Sequence, residues 1–337
     1  MLKLGIIGTN WITEQFINAV LETEQWQLTS VYSRTLTKAE TFAQKFTDNA
    51  ECYTELDRFF KEGNFDVVYI ASPNSLHFEQ SRAAILAGKH VIVEKPACSN
   101  PKEMRQIIRL LRQHRGVYYF EAARHFHERN FKMLKQRIKE MNVIQGANLT
   151  YMKYSSRYDS FLAGKEPNIF SLRFSGGALQ DLGVYLVYNA VSWFGVPNDA
   201  IYYPTKLHNG IDGKGTAILK YSGYQVNLNF GKTVNSYLPS EVYGLKETIV
   251  MDNAAELQKI MLLDGQGNKR DLTQEVDKNP MLSEVQDFTN ILNDPTSLDS
   301  KQQMDDWLAI AVQVNRVMYD LRNSAHLHFD ADSKQLL

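Results

Sequence analysis

Lys95 follows an apolar run, Val91-Ile92-Val93, and a carboxylate, Glu94, and it precedes Pro96. An amine at the end of a buried strand sits where open α/β sheets keep their ligands. There it can give or take a proton at a hydroxyl or carbonyl oxygen. Desolvation and a neighbouring cation lower a lysine's pKa toward working pH, and the charged form steadies a developing alkoxide. The competing account is a lysine that snorkels from the sheet edge, paired with Glu94. Asp181 and Tyr185 fit the same chemistry. Four apart, they share one face of the helix that Gly176-Gly177 introduces. Asp181 can hydrogen-bond a substrate hydroxyl or hold Lys95, and Tyr185 can relay a proton if an ammonium lowers its pKa from ~10. Alternatively, Asp181 is an N-terminal helix charge and Tyr185 a core aromatic.

Redox use of such groups needs a nucleotide beside them, and the start of the chain offers a floor for one. The apolar run Leu4–Ile7 enters the turn Gly8-Thr9-Asn10-Trp11-Ile12 and then a helix, the usual seat of a dinucleotide pyrophosphate. Of the fingerprint G-x-G-x-x-G/A only the first glycine survives, because Asn10 and Thr13 hold the other two positions. Asn tolerates a left-handed backbone and Thr13 is small, so the loop can still form; an ordinary strand–turn–helix matches the motif equally well. After the second strand, where an NAD enzyme carries an acid for the ribose hydroxyls, stand Ser33-Arg34-Thr35, with Lys38 behind them. A guanidinium and hydroxyls suit a 2′-phosphate, which favours NADP(H) and leaves NAD(H) possible. A solvated surface arginine is the plainer alternative.

These residues have to be positioned by regular elements. From 1 to 122 strands and helices alternate: Leu4–Ile7, Gln27–Tyr32, Asp66–Ile70, His90–Val93 and Val117–Phe120 read as strands. Lys38–Phe46, His77–Ala87 and the segment opened by Asn100-Pro101-Lys102-Glu103 read as helices. That alternation predicts a Rossmann-type, doubly wound parallel sheet. Beyond about residue 145 the apolar period becomes two. Ala217–Tyr221, the turn Ser222-Gly223 and Tyr224–Phe230 form the clearest hairpin. Its polar face (Gln225, Asn227, Asn229) meets either water or a second subunit. Lys246–Met251 and Leu257–Leu263 continue the pattern, and helices follow around Leu282–Leu292 and Gln302–Arg322. The expected architecture is α/β. Residues 1–122 form the nucleotide-binding domain. Residues 123–337 form an α+β domain with an open, mainly antiparallel sheet for substrate and self-association.

Composition narrows the function classes. With 337 residues, 44% hydrophobic, 22% charged and a net charge of −1, the chain suits two globular domains and neither nucleic acid nor an anionic membrane. Its two cysteines, Cys52 and Cys98, are too few for a disulfide framework. No apolar run is long enough to span a membrane and no signal peptide is evident, so a cytoplasmic location is expected. His90, His125 and His127 lack metal-ligand spacing, so no metal is expected; the run Arg124–Arg129 reads as structural.

Four segments in order give the chain a family likeness: Gly5-Ile6-Ile7-Gly8-Thr9, Ala71-Ser72-Pro73-Asn74-Ser75-Leu76-His77, Glu94-Lys95-Pro96 and Ser175–Tyr185. With them it resembles the Gfo/Idh/MocA oxidoreductases over nearly its whole length. Ser175–Tyr185 is most similar to the glucose–fructose oxidoreductase and dimeric dihydrodiol dehydrogenase branch; many other members carry His where this chain has Tyr185. The resemblance implies an NAD(P)-binding Rossmann domain and a sheet domain over the nicotinamide. It implies Lys95 and Asp181 as catalytic-site residues, and Trp11, Ser72 with Pro73, Asn74, His77 and Glu94 along the cofactor. It also implies dimers or tetramers formed through the open sheet. Arg157, Tyr158 and Arg173, in the long segment before Gly176, either line the substrate pocket or are solvated loop residues. The leading expectation is hydride transfer between NADP(H) and a hydroxyl or carbonyl of a sugar, polyol or dihydrodiol-like substrate. Two rivals remain: an NAD-dependent glycosidase of the same family, and a non-catalytic NADP(H)-sensing protein.

Overall fold

The structure, a computed structural model, describes residues 1–335. It divides into two compact units. The first takes Met1–Cys98, Lys102–Arg124 and Asp277–Ala309; the second takes Ser99–Pro101, His125–Val276 and the chain from Ile310 onward.

The first unit is built on six strands: β1 (Leu2–Ile7), β2 (Trp26–Tyr32), β3 (Glu51–Tyr53), β4 (Val67–Ile70), β5 (His90–Glu94) and β6 (Tyr119–Ala122). They pair in parallel in the order β3-β2-β1-β4-β5-β6. Every residue of β4 is buried, as expected of a strand covered by helices on both faces. From β1 the chain winds outward through β2 and β3, then returns to β4 on the other side of β1, and ligands of such sheets bind at this reversal. Because the strands are parallel, the carboxyl ends of β1, β2, β4 and β5 share one edge. Gly8, Ser33-Arg34, Ser72 and Lys95 all lie just beyond those ends.

Residues 277–309 pack with this first unit, whereas the sequence division at 122 assigns them to the second domain. The helix Leu282–Asn293 places Val285, Phe288, Ile291 and Leu292 in the core that contains Leu4, Phe16 and Phe120. Phe288 stacks on Phe120 at 4.7 Å, and the buried Trp26 indole donates to Thr289 Oγ1 at 2.7 Å. Helical periodicity shows that such a segment has an apolar face but not which sheet that face will cover.

The second unit holds eight strands: β7 (Ile144–Met152), β8 (Asp199–Lys206), β9 (Asp212–Lys220), β10 (Gln225–Gly231), β11 (Ser240–Gly244), β12 (Glu247–Met251), β13 (Ile260–Asp264) and β14 (Lys269–Asp271). Their order is β14-β13-β12-β11-β7-β10-β9-β8, antiparallel except where β10 runs beside β7. The expected hairpin is present as β9–β10, with Lys220 opposite Gln225. On its polar face Gln225 is exposed and Asn227 and Asn229 are half-buried; Asn227 donates to Asn148 and Thr216 to Asn229, both at 2.8 Å. Near the end of the chain, the fully buried Arg322 guanidinium grips both oxygens of Asp332. It also donates to the Leu327 and Ser99 carbonyls at 2.9 Å. Among the described residues no helix is long and apolar enough to cross a membrane.

Candidate active site

The edge of the first unit starts at Gly8, where φ is +108°. A Cβ there would lie 2.6 Å from the Ala71 carbonyl oxygen, so both the backbone conformation and the space demand glycine. Asn10 replaces the second glycine of the fingerprint by an active device. Its Oδ1 accepts from the Ile12 and Thr13 amides at 3.0 and 3.3 Å, capping the helix Trp11–Glu22, and its Nδ2 donates to the Ala71 carbonyl at 3.0 Å. The turn is therefore held without the glycine. Thr9 and Ile12 are half-buried, and Trp11 stands out 71% exposed. At the end of β2, Ser33 is buried while Arg34, Thr35 and Lys38 are exposed. This is a basic, hydroxyl-bearing corner with no acid at the ribose position.

Along β4 and β5 the edge is cross-braced. Phe16 stacks on Tyr69 at 3.8 Å, and the Tyr69 hydroxyl donates to buried Glu94 at 2.6 Å. Burial pushes the Glu94 carboxyl up, against the opposing pull of Lys95, the Tyr69 hydroxyl and Arg124. Lys95 itself is half-buried, and the peptide bond that links it to Pro96 is cis. His77, expected beside the cofactor, is buried inside the helix Asn74–Leu86. Its Nδ1 meets the Pro96 carbonyl at 2.9 Å and its Nε2 the Ser72 carbonyl at 2.8 Å. It thus braces the loop after β4 against the residue after Lys95. Burial pushes its pKa down. Ser72 turns its hydroxyl to Gln80 at 2.6 Å, and Pro73 and Asn74 are half-buried where the helix begins.

In the second unit the segment after Gly176-Gly177 is not a continuous α-helix. Leu179–Gly183 forms a π-helical turn and only Val184–Phe194 is α-helical. Such turns recur at functional sites, and the α-helical four-residue rule does not govern a pair that straddles one. Asp181 and Tyr185 accordingly have different surroundings. The Asp181 side chain is 34% exposed and ion-paired with Lys232, a residue the sequence reading did not single out. Tyr185 is buried, with its ring 5.5 Å from Tyr151 and 4.8 Å from His125, and its carbonyl meets His125 Nε2 at 3.2 Å. Arg157 and Arg173 are exposed, and the Arg173 guanidinium lies 5.3 Å from the Phe174 ring centre. Tyr158 packs on Phe161 and Phe170. A signal for Lys232 was present: Val226, Leu228 and Phe230 occupy the buried face of β10 at every second position, and residue 232 continues that register.

The Gly8 cradle, the capped helix behind it and the basic corner after β2 fit a dinucleotide phosphate and ribose. The family described as "Oxidoreductase family, NAD-binding Rossmann fold" matches residues 2–122. Over 332 residues the chain is 35% identical to scyllo-inositol 2-dehydrogenase (NADP(+)) IolU of Bacillus subtilis, covering 98% of this chain and 99% of the relative. It is 34% identical to the uncharacterized oxidoreductase YgjR of Escherichia coli, covering 100% of each. Among solved structures, the 3-ketoreductase KijD10 of Actinomadura kijaniata, crystallised with NADP and TDP-benzene, shares the fold with a TM-score of 0.82 at 18% identity. That match covers 96% of this chain and 97% of the other. With its sheet order, its glycine turn and these relatives taken together, the chain belongs to the Gfo/Idh/MocA family of NAD(P)-binding oxidoreductases and is an NAD(P)-dependent dehydrogenase/reductase acting on CH–OH groups.

Proposed function

We propose that the chain is an NADP(H)-dependent dehydrogenase of a sugar or polyol, with a cyclic polyol as the first substrate class to test. The observation that carries this reading is Lys95, half-buried at the carboxyl end of β5, on the same sheet edge as the Gly8 turn and the exposed Arg34 corner. The full-length similarity to a protein named for scyllo-inositol and NADP(+) supports it. Gly8, Thr9, Asn10, Trp11 and Ile12 would seat the pyrophosphate, Ser33, Arg34 and Lys38 the 2′-phosphate, and Ser72, Pro73, Asn74 and Glu94 the nicotinamide half. When bound, the nicotinamide supplies or accepts the hydride.

The chain's own residues handle the proton and the fit. Lys95 takes the hydroxyl proton in oxidation and returns it to the carbonyl oxygen in reduction, and its ammonium form steadies the alkoxide between. Asp181 accepts a hydrogen bond from the substrate, Tyr185 supports the proton path, and Arg157 and Arg173 meet the outer part of the substrate. Tyr158, packed on Phe161 and Phe170, would line the same pocket. Copies would associate through the polar face of the eight-stranded sheet, where Asn148, Asn227 and Tyr243 are already linked, and the protein would work in the cytoplasm.

The test is nicotinamide absorbance in the presence of NADP+ and a panel of inositols and sugars, with Lys95→Met as the control. Turnover that survives in Lys95→Met would overturn the assignment.

A further inference from the structure

Lys232 is a charged residue directly after β10, in step with the positions that this strand turns inward. Val226, Leu228 and Phe230 are fully buried on β10, and two residues beyond Phe230 the same alternation delivers an ammonium that is 1% exposed. Its main chain is fixed on both sides, the N–H donating to the Gly213 carbonyl and the carbonyl accepting from the Ser155 N–H, both at 2.8 Å. The Nζ lies 4.9 Å from the centre of the Phe170 ring and is paired with Asp181. Burying an ammonium is costly unless it is paired and hydrogen-bonded, and an apolar side chain of similar length would fill the same channel without that cost. The charge is instead kept beside a carboxylate that remains a third exposed.

The backbone beneath Asp181 is secured by other groups. Asp212 Oδ2 accepts from the Leu179 N–H at 2.7 Å and from the Tyr202 hydroxyl at 2.8 Å. Gly177, at φ +101°, lies so close to Asp212 Oδ1 that no side chain fits there. A Cβ at Gly183 would come within 3.2 Å of the Phe230 ring. Asp212, Tyr202 and the glycines thus brace the backbone of the π-helical turn, and Lys232 pairs with the Asp181 side chain. Burial pushes the Asp212 carboxyl up, with hydrogen bonds from Leu179 and Tyr202 and the charge of Lys232 opposing it.

We propose that Lys232 is the positioning residue of this site: it holds Asp181 ionised and in one orientation, so that Asp181 meets the substrate as a fixed hydrogen-bond acceptor and not as a proton donor. The proposal rests on the reading that Asp181 faces substrate. An acceptor of this kind recognises a free hydroxyl and rejects the corresponding methyl ether.

The experiment follows the carboxyl-carbon NMR shift of Asp181 against pH, with the signal assigned by its loss in Asp181→Asn. Lys232→Met should move the midpoint up by at least one unit, and Lys232→Arg should return it toward the parent value. In turnover with NADP+ and scyllo-inositol, Lys232→Met should lower kcat about ten- to hundredfold and shift the acid limb of the pH profile upward, with Lys232→Arg partly rescuing both. An unmoved Asp181 midpoint in folded Lys232→Met would overturn the proposal. If Lys232→Met does not fold, Lys232→Gln takes its place, and an unmoved Asp181 midpoint in that folded variant would overturn the proposal equally. Neither NMR outcome depends on substrate, so failure of the wider reading would show separately, as turnover persisting in Lys95→Met.

Discussion

Asn10 donates from Nδ2 to the Ala71 carbonyl at 3.0 Å, and that same carbonyl oxygen is the atom a Cβ at Gly8 would strike at 2.6 Å. A side-chain amide thus ties together the two strand ends that a glycine-rich loop merely allows to approach. Gly8→Ala should lose about 1–2 kcal/mol to the left-handed backbone alone, with more from the clash, and should abolish NADPH binding. Asn10→Ala should cost about 1 kcal/mol, the usual worth of a helix cap, and weaken NADPH less. Thermal melts and titration of tryptophan fluorescence near exposed Trp11 would order the two variants. The reverse order would refute this account of the turn.

Arg34 is exposed at the end of β2 beside the buried Ser33 and exposed Lys38. Charge-assisted hydrogen bonds contribute roughly 1.5–3 kcal/mol, which is about a ten- to hundredfold change in affinity. Arg34→Ala should raise KM for NADP+ by that factor and leave KM for NAD+ nearly unchanged. Equal effects on both cofactors would remove Arg34 from 2′-phosphate recognition.

Lys95→Met should reduce kcat/KM by about 10²–10⁴-fold, the usual yield of a positioned acid–base group, with NADPH affinity preserved. Asp181→Asn should raise KM for the polyol and lower kcat. Steady-state kinetics separates the two, since loss of a binding contact and loss of a proton-transfer group divide differently between KM and kcat.

Glu94 carries a pH signature. Its carboxyl is pushed above the ordinary value of 4.5 by burial, so the folded chain holds that proton more tightly than the unfolded one. The resulting stability is fully present below the unfolded pKa and is lost as pH rises through the folded value. Glu94→Gln keeps an acceptor for the Tyr69 hydroxyl but has no proton to lose. Its melting temperature relative to the parent should therefore climb as pH rises from acid to neutral. A difference that stays flat across that range would show that Glu94 does not titrate abnormally.

The doubly wound half was legible because most of its strands are short apolar runs set between helix-forming segments, and both are local signals. Lys95 and Gly8 could be placed from those runs alone. The segment 277–309 could not, since its choice of sheet depends on Trp26, Phe120 and Phe288 meeting across most of the chain. Strand β3 is only three residues long, too short to show a period. The four-residue spacing of Asp181 and Tyr185 does not reveal the π-helical turn between them, whose first amide is held by a residue distant in sequence, Asp212. The bracing role of His77 leaves no local mark, since its two carbonyl partners lie on separate loops.

The Arg322 clasp makes the tail of the chain a working part. Asp332 neutralises a guanidinium whose two terminal nitrogens also reach the Leu327 and Ser99 carbonyls. Asp332→Ala would strand that cation beside the Tyr319 and Phe329 rings, at a cost of about 3–5 kcal/mol for breaking a buried pair. A thermal melt of Asp332→Ala well below the parent would register that loss, and an unchanged melt would show that the clasp adds nothing to the fold.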